Sequence, residues 1–296
     1  MDNADERLNN YEFKQSMNSL LKDLIQRGEG EALKKVGCDS ELMANHNIIS
    51  EAFLEAAVEF GISEAHTDLG VLYLHHFEII KRVTGFHQYL IAARQGDSRA
   101  VRLYFRDSSW FDFNQYDDEM IQIGLRLNVI IAYKCYSNRL HLKGDIKGAI
   151  KYKKKIAYRD PEILIDVALL YLYDLEDKKN ALKSLIRFGK IWYKYYLDEE
   201  TYSFEHDDSY YAIFNVYDDD ILKLSDLVKE EADSGNIEAN FVYALFLYLG
   251  ILLPEKNKIL SKKYLELALA GDIKNKDKIR KLFDYSNCGE EICEQS

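Results

Sequence analysis

The stretch from Ala56 to Ala100 decides the fold. It reads Ala56-Ala57-x-x-x-Gly61-x-x-x-Ala65-x-x-x-Leu69-Gly70-x-x-Tyr73, then Tyr89-x-x-Ala92-Ala93-x-x-Gly96-x-x-x-Ala100. Small residues stand at a fixed offset from a glycine, and the pattern begins again 35 residues later, from Gly61 to Gly96 and from Ala65 to Ala100. Glycine ends a helix at no steric cost because it takes positive φ without a Cβ clash. A helix pair of this size cannot bury its apolar face alone, so the spacing predicts antiparallel pairs stacked on one another.

The same pattern returns near the other end of the chain. Glu231-Ala232-x-x-Gly235-x-x-x-Ala239-x-x-x-Tyr243-Ala244 is followed by Tyr264-x-x-Leu267-Ala268-x-x-Gly271, with 36 residues from Gly235 to Gly271. A third unit opens at Gly144-Asp145 and passes Gly148-Ala149-Ile150 and Tyr152 to Ala168-Leu169-Leu170-Tyr171. In it Asp160 is expected as an N-cap, with Pro161 at the first helical position. Ser63 and Ser98 are expected to cap the helices they precede. Helices are expected over about 5–27, 31–36, 47–60, 85–95, 117–136, 178–195, 221–233 and 274–283 from apolar spacing and glycine stops. The segment Arg106–Tyr116, RDSSWFDFNQY, reads as a loop or insertion.

Composition agrees with an all-α chain. Among 296 residues only two are proline, and Leu, Lys, Glu and Ala fill the long segments. The longest apolar run, Phe241 to Leu253, falls short of the roughly 20 residues a membrane helix needs and reads as a buried core helix. Four cysteines without pair spacing, and a polar, acidic N-terminus unlike a signal peptide, predict reduced thiols in a cytoplasmic protein.

These residues resemble Sel1-like repeats, a longer variant of the tetratricopeptide repeat. Ala56, Ala57, Gly61, Ala65, Leu69, Gly70 and Tyr73 carry the resemblance most closely, and Ala232, Gly235, Ala239, Ala268 and Gly271 repeat it. The unit from Gly144 to Tyr171 looks more like an ordinary tetratricopeptide repeat. His75, His76 and Phe77 stand where the family has an aromatic and glycine-rich turn. The resemblance implies an α-solenoid of antiparallel helix pairs that binds other proteins. On this reading residues 1–46 form a helical cap, 47–283 a single repeat domain with an acidic insertion at 198–220, and 284–296 a mobile tail.

Charge placement points to the surface of interest. Thirteen acids and two lysines lie between Asp198 and Asp233, so that segment alone carries the net −11 of the whole chain. Tyrosines interleave with the acids, and Tyr is enriched at interfaces. The expected partner-binding residues are Asp198, Glu199, Glu200, Tyr202, Glu205, Asp207, Asp208, Tyr210, Tyr211, Asp218 and Asp219. The bland reading is solvated loop acids that cap the next helix. A surface of this sign attracts a basic protein, speeds encounter with it, and disfavours nucleic acid. The opposite patch, Arg139 to Arg159, reads as a solvated helix face because Lys147, Lys151 and Lys155 recur at i+4.

The motif search predicts no catalytic residue, metal site, cofactor or small-molecule substrate. His75 and His76 are adjacent on a helix and point about 100° apart, so they cannot easily share an ion. His206-Asp207-Asp208 lacks the spacing of a calcium loop. There is no phosphate-binding glycine loop and no Gly-x-Ser-x-Gly. The function expected is binding to another protein, as a bacterial immunity protein that neutralises a basic, nuclease-like toxin. The alternatives are a general adaptor or scaffold in signalling or secretion, and an enzyme without a recognisable motif.

Overall fold

A computed structural model describes residues 2–75, 79–111, 114–197, 219–253 and 256–283, and among them all regular structure is helical. The chain divides into two compact bodies, Met1–Tyr136 and Ser137–Ser296. The first contains α1 (Asp2–Arg27), α2 (Gly30–Gly37), α3 (Ser40–Asn45), α4 (Asn47–Glu59), α5 (Ser63–Leu74), α6 (Ile79–Arg94), α7 (Ser98–Phe111) and α8 (Asp117–Arg126). The boundary falls within α9 (Ile130–Leu142). The second continues with α10 (Ile146–Ile156), α11 (Ile163–Leu169), a π-helical turn (Leu170–Asp174), α12 (Lys178–Leu197), α13 (Asp219–Asp233), α14 (Ile237–Leu249), α15 (Lys258–Ala270) and α16 (Lys276–Leu282). In each body a helix packs mainly on its near neighbours in sequence, the arrangement of an α-solenoid.

One backbone turn recurs through the chain. Gly28, Gly61, Gly96, Asn128, Gly144 and Gly235 all have positive φ, between 57° and 103°. At each, the amide of that residue bonds back three positions and the next amide bonds back five. At Gly61 these bonds are Gly61 N–H to the Val58 carbonyl at 2.8 Å and Ile62 N–H to the Ala57 carbonyl at 3.1 Å. This Schellman arrangement satisfies carbonyls that the helix end would otherwise leave open. Four residues beyond Gly61, Gly96, Asn128 and Gly235 stand Ala65, Ala100, Ala132 and Ala239, each fully buried. The turn therefore sets both where a helix ends and which small residue enters the core next.

The expected helix pair from the opening stretch forms, and its approach is close. A Cβ at Gly70 would lie 2.5 Å from the Tyr89 ring and 3.1 Å from the Gly85 carbonyl. The buried faces of α5 and α6 then add Leu69, Leu72, Tyr73, Phe86, Leu90 and Ala93. The second pair, α14 and α15, is joined by Ser261 Oγ, which donates to the Ala244 carbonyl at 2.7 Å, and by Tyr243 and Tyr264 edge to face at 4.8 Å. The apolar run from Phe241 is the buried helix expected, with every residue from Ala239 to Leu247 in the core. Among the described residues no helix is long and apolar enough to cross a membrane.

Several boundaries differ from the sequence expectation. Arg106–Phe111 is not a loop: α7 continues to Phe111, because Ala100, Val101, Tyr104 and Ser108 recur at helical spacing and are all buried. The expected helix over 117–136 is two helices, broken at Asn128 with φ 57°. Asn enters the left-handed region more readily than other non-glycine residues, so it can replace the repeat glycine. α6 starts at Ile79, and α11 starts at Ile163 after a tight turn in which Leu164 N–H bonds to the Pro161 carbonyl at 3.0 Å; Asp160 is not its N-cap. Neither serine caps as expected. Ser63 and Ser98 are each the first helical residue, and Asp97 instead accepts from Arg99 N–H at 2.8 Å. Helix α3, capped by Asp39 at 3.0 Å from Glu41 N–H, had no sequence signal strong enough to predict it.

Tyrosine–carboxylate bonds tie neighbouring helices together. Tyr89 donates to Asp107 Oδ2 at 2.8 Å, Tyr104 to Asp117 Oδ1 at 2.8 Å and Tyr264 to Asp233 Oδ1 at 2.6 Å. Burial first, and then the facing carboxylate, raises the pKa of each of these phenols well above its ordinary value. A phenol whose pKa is raised on folding keeps its contribution below its unfolded pKa, about 10, and loses it as pH rises beyond that.

Two outcomes follow for stability. In urea denaturation, Asn128→Gly is expected to be neutral or stabilising, whereas Asn128→Val costs about 1–2 kcal/mol because a β-branched residue resists positive φ. Tyr264→Phe is expected to cost about 1 kcal/mol at pH 7 and to flatten the fall in stability above pH ~10. An unchanged alkaline limb in that variant would show that the Tyr264–Asp233 bond does not matter there.

Candidate partner-binding surface

The acidic surface expected from sequence is described from Asp219 onward. Asp198, Glu199, Glu200, Tyr202, Glu205, Asp207, Asp208, Tyr210, Tyr211 and Asp218 lie outside the described residues. Asp219 opens α13 and is exposed. Spacing then decides which other acids share its face. Residues at i, i+4, i+7 and i+11 of a helix fall within a stripe of roughly 60°. On α13 these are Asp219, Lys223, Asp226 and Glu230, all exposed, while Leu224, Ser225, Val228 and Ala232 occupy the buried side.

The one cation on this stripe is already engaged. Lys223 Nζ donates to Asp220 Oδ1 at 3.0 Å and lies 5.5 Å from the Tyr173 ring centroid, while Tyr173 donates to the same Asp220 oxygen at 2.6 Å. These bonds, led by the Tyr173 phenol, hold the Asp220 carboxyl below its usual range. The phenol of Tyr173 is raised by the same contact. Asp226 and Glu230 differ: among the described residues neither has an ion pair or a side-chain hydrogen bond. Farther along, Glu231 accepts from Asn236 Nδ2 at 2.8 Å and Asp233 from Tyr264, so both serve packing.

A groove runs beside the stripe. It has a volume of about 330 Å³ and is lined by Leu172, Tyr173, Lys178, Lys223, Asp226, Leu227 and Glu230. Leu172 and Tyr173 line it from the π turn at Leu170–Asp174, a conformation frequent at functional sites. The floor is thus leucine and tyrosine, and the rim sets Asp226 and Glu230 against Lys178 and Lys223. The groove can receive an apolar side chain with a polar end. Sequence reading missed Tyr173 and Leu172, since only folding brings them to α13.

Two solved structures similar to this chain are Sel1-type. One is a Sel1 repeat protein from Oxalobacter formigenes, 15% identical, covering 92% of this chain and 81% of its own, with a TM-score of 0.45. The other is c5321, a protective antigen present in uropathogenic Escherichia coli strains displaying an SLR fold, 12% identical with a TM-score of 0.28; the match covers 84% of this chain and 63% of that one. No family profile and no curated protein sequence matches the chain.

The other sequence candidates resolve as follows. Lys147, Lys151 and Lys155 are exposed on one face of α10, as expected. Lys153 departs from that reading: it is 5% exposed and pairs with Asp166 at 2.8 Å. Lys154 donates to the Tyr171 hydroxyl at 3.0 Å. His75 follows α5 and is exposed, the His87 ring lies 6.0 Å from that of Tyr116, His76 lies outside the described residues, and no three metal-ligating side chains converge among those described. Burial pushes the Cys135 thiol up to about 11 and raises that of Cys38 as well, which leaves both poor nucleophiles.

Asp220 is the residue to perturb. Because its folded pKa is depressed, its bonds to Tyr173 and Lys223 hold above the ordinary carboxylate pKa of about 3.9 and weaken as pH falls below it. Asp220→Asn is expected to lower the amide protection factors of residues 221–224 at pH 7 and to remove the difference in protection factor between pH 7 and pH 3 there. Exchange unchanged by the substitution would show that the start of α13 is held by its apolar face alone.

Proposed function

We propose that the chain is a protein-binding module, and within that class a bacterial immunity protein that binds and neutralises a basic, nuclease-like toxin. The observation that carries the reading is the stripe of Asp219, Asp226 and Glu230, whose last two carboxylates have no cationic partner among the described residues and border an amphipathic groove. An unpaired carboxylate on a fixed helix need not give up an internal ion pair to meet a lysine or arginine of a partner, and several in a row raise the association rate. In sequence the stripe belongs to a stretch, Asp198 to Asp233, with thirteen acids against two lysines. A nuclease surface made for phosphate is the natural match for such a field, because acids can occupy the positions phosphates would take.

The test is affinity capture from the native host with the wild-type chain and with Asp219→Asn/Asp226→Asn/Glu230→Gln. The expected result is one basic protein whose nuclease activity the wild-type chain abolishes. Its association rate should fall roughly tenfold in the triple variant and drop steeply with salt. Capture of an acidic or neutral partner, or one held equally well by the variant at every ionic strength, would defeat the reading. A basic partner without toxicity would favour the adaptor alternative.

A further inference from the structure

A second charged stripe, of opposite sign, lies on α7. Arg99, Arg102, Arg106 and Trp110 stand at i, i+3, i+7 and i+11, within roughly 80° of one another around the helix. All four are exposed, and Ala100, Val101, Tyr104 and Ser108 take the buried side. Arg99 to Trp110 spans about 16 Å at 1.5 Å per residue. Trp110 is 83% exposed, the most exposed aromatic side chain among the described residues. Exposed tryptophan costs apolar hydration and is the side chain most enriched at binding hot spots.

The arginines have counter-charges beneath them rather than beside them. Arg99 Nη1 donates to Asp68 Oδ1 at 2.8 Å, and the Asp68 side chain is only 5% exposed. Arg106 donates through Nε and Nη2 to Asp107, which is 13% exposed and also accepts from Tyr89. These carboxylates fix the two guanidinium groups and leave further N–H donors facing outward. Arg102 has no ion pair or side-chain hydrogen bond among the described residues. One full positive charge is therefore unopposed at the middle of the stripe.

The Trp110 end is apolar. α6 and α7 run antiparallel, so the start of α6 lies beside the end of α7, where Arg82 stacks on the Phe111 ring at 5.0 Å. Ile79 and Ile80, in the first turn of α6, are 75% and 80% exposed. A cationic track thus leads to an apolar end on the first body alone.

We propose that this face of α7 docks an acidic peptide segment of another protein, with carboxylates on Arg102 and Arg106 and an aliphatic or aromatic anchor against Trp110. Carboxylates meet guanidinium donors in a planar, bidentate fashion, which suits donors held in place from below. Residues 1–136 carry 14 Lys and Arg against 21 Asp and Glu, a field that opposes any anion in proportion to its charge, so a peptide with two or three carboxylates is favoured over a polyphosphate chain. The site differs in sign and in position from the acidic stripe on α13, so the two take different partners.

The test selects a random dodecapeptide phage library on the immobilised full chain, then measures the enriched peptides by fluorescence anisotropy. The expected ligands carry two or more Asp or Glu residues and one large apolar residue. Their affinity should fall at least ~tenfold, which is ~1.4 kcal/mol, in both Arg102→Glu and Trp110→Ala, and remain unchanged in Asp226→Asn/Glu230→Gln. Arg102→Gln should give a smaller loss, and thermal melts matching wild type would show that the exposed substitutions leave the fold intact. Enrichment of basic or neutral peptides, no enrichment over an unrelated protein, or affinity indifferent to both α7 variants would overturn the proposal. So would binding of a poly(U) strand of about twenty nucleotides that Arg102→Glu abolishes while no acidic peptide competes for it.

Discussion

Six times among the described residues a helix ends on the same two backbone hydrogen bonds around a residue in the left-handed region. The rest of the structure depends on that turn. It reverses the chain within a few residues, satisfies the open carbonyls of the helix it ends, and delivers a buried small residue four positions later in four of the six cases. Within a pair the helices also approach closely. Gly70 on α5 shows the limit, since the Tyr89 ring and the Gly85 carbonyl of α6 leave no room for a methyl group. The turns at Gly61 and Gly96 lead into and out of that pair, and turns and close contacts together fix which faces remain outside.

What remains outside is charged in an organised way. α7 and α13 both present residues at i, i+3 or i+4, i+7 and i+11 to solvent, one with arginines and a tryptophan, the other with acids. Their inner faces are ordinary core, with Ala100 and Tyr104 in one case and Leu224 and Val228 in the other. The core residues of each helix thus determine the direction of its outer stripe. Tyrosines connect the two layers: Tyr89 and Tyr264 are buried rings whose hydroxyls reach acids near the surface. Asp107 and Asp233 are engaged in this interlayer bonding, whereas Asp226 and Glu230 carry no such bond among the described residues.

The repeat was legible in sequence wherever glycine marks the turn, because no other residue tolerates positive φ so freely. It was not legible at Asn128, where the same turn is made by a residue that also occurs in helices and loops. The extension of α7 to Phe111 was obscured by RDSSW, whose polar letters hide that Ser108 belongs to the buried side. Caps were read one residue late at Ser98, since Asp97 has the better-placed acceptor. The acids of α13 were visible as a cluster, but Asp226 and Glu230 were not singled out from it, because a charge count does not say which carboxylates share an exposed face. Tyr173 was invisible to that reasoning, because its bond to Asp220 crosses 47 residues of chain and needs a π turn that no local pattern announces. Lys153 was equally hidden: its neighbours are solvated, and only the packing of α10 on α11 buries it against Asp166.

The central claim is that recognition belongs to the acidic outer face of α13 while the glycine turns and small residues only build the scaffold. Hydrogen–deuterium exchange of the chain, free and bound to its captured basic partner, tests it most directly. The account predicts slowed exchange over Asp219–Asp233 and the π turn at Leu170–Asp174, with α5 and α6 unchanged. Protection confined to the repeat helices from Ser63 to Arg94, with α13 exchanging as in the free chain, would contradict it.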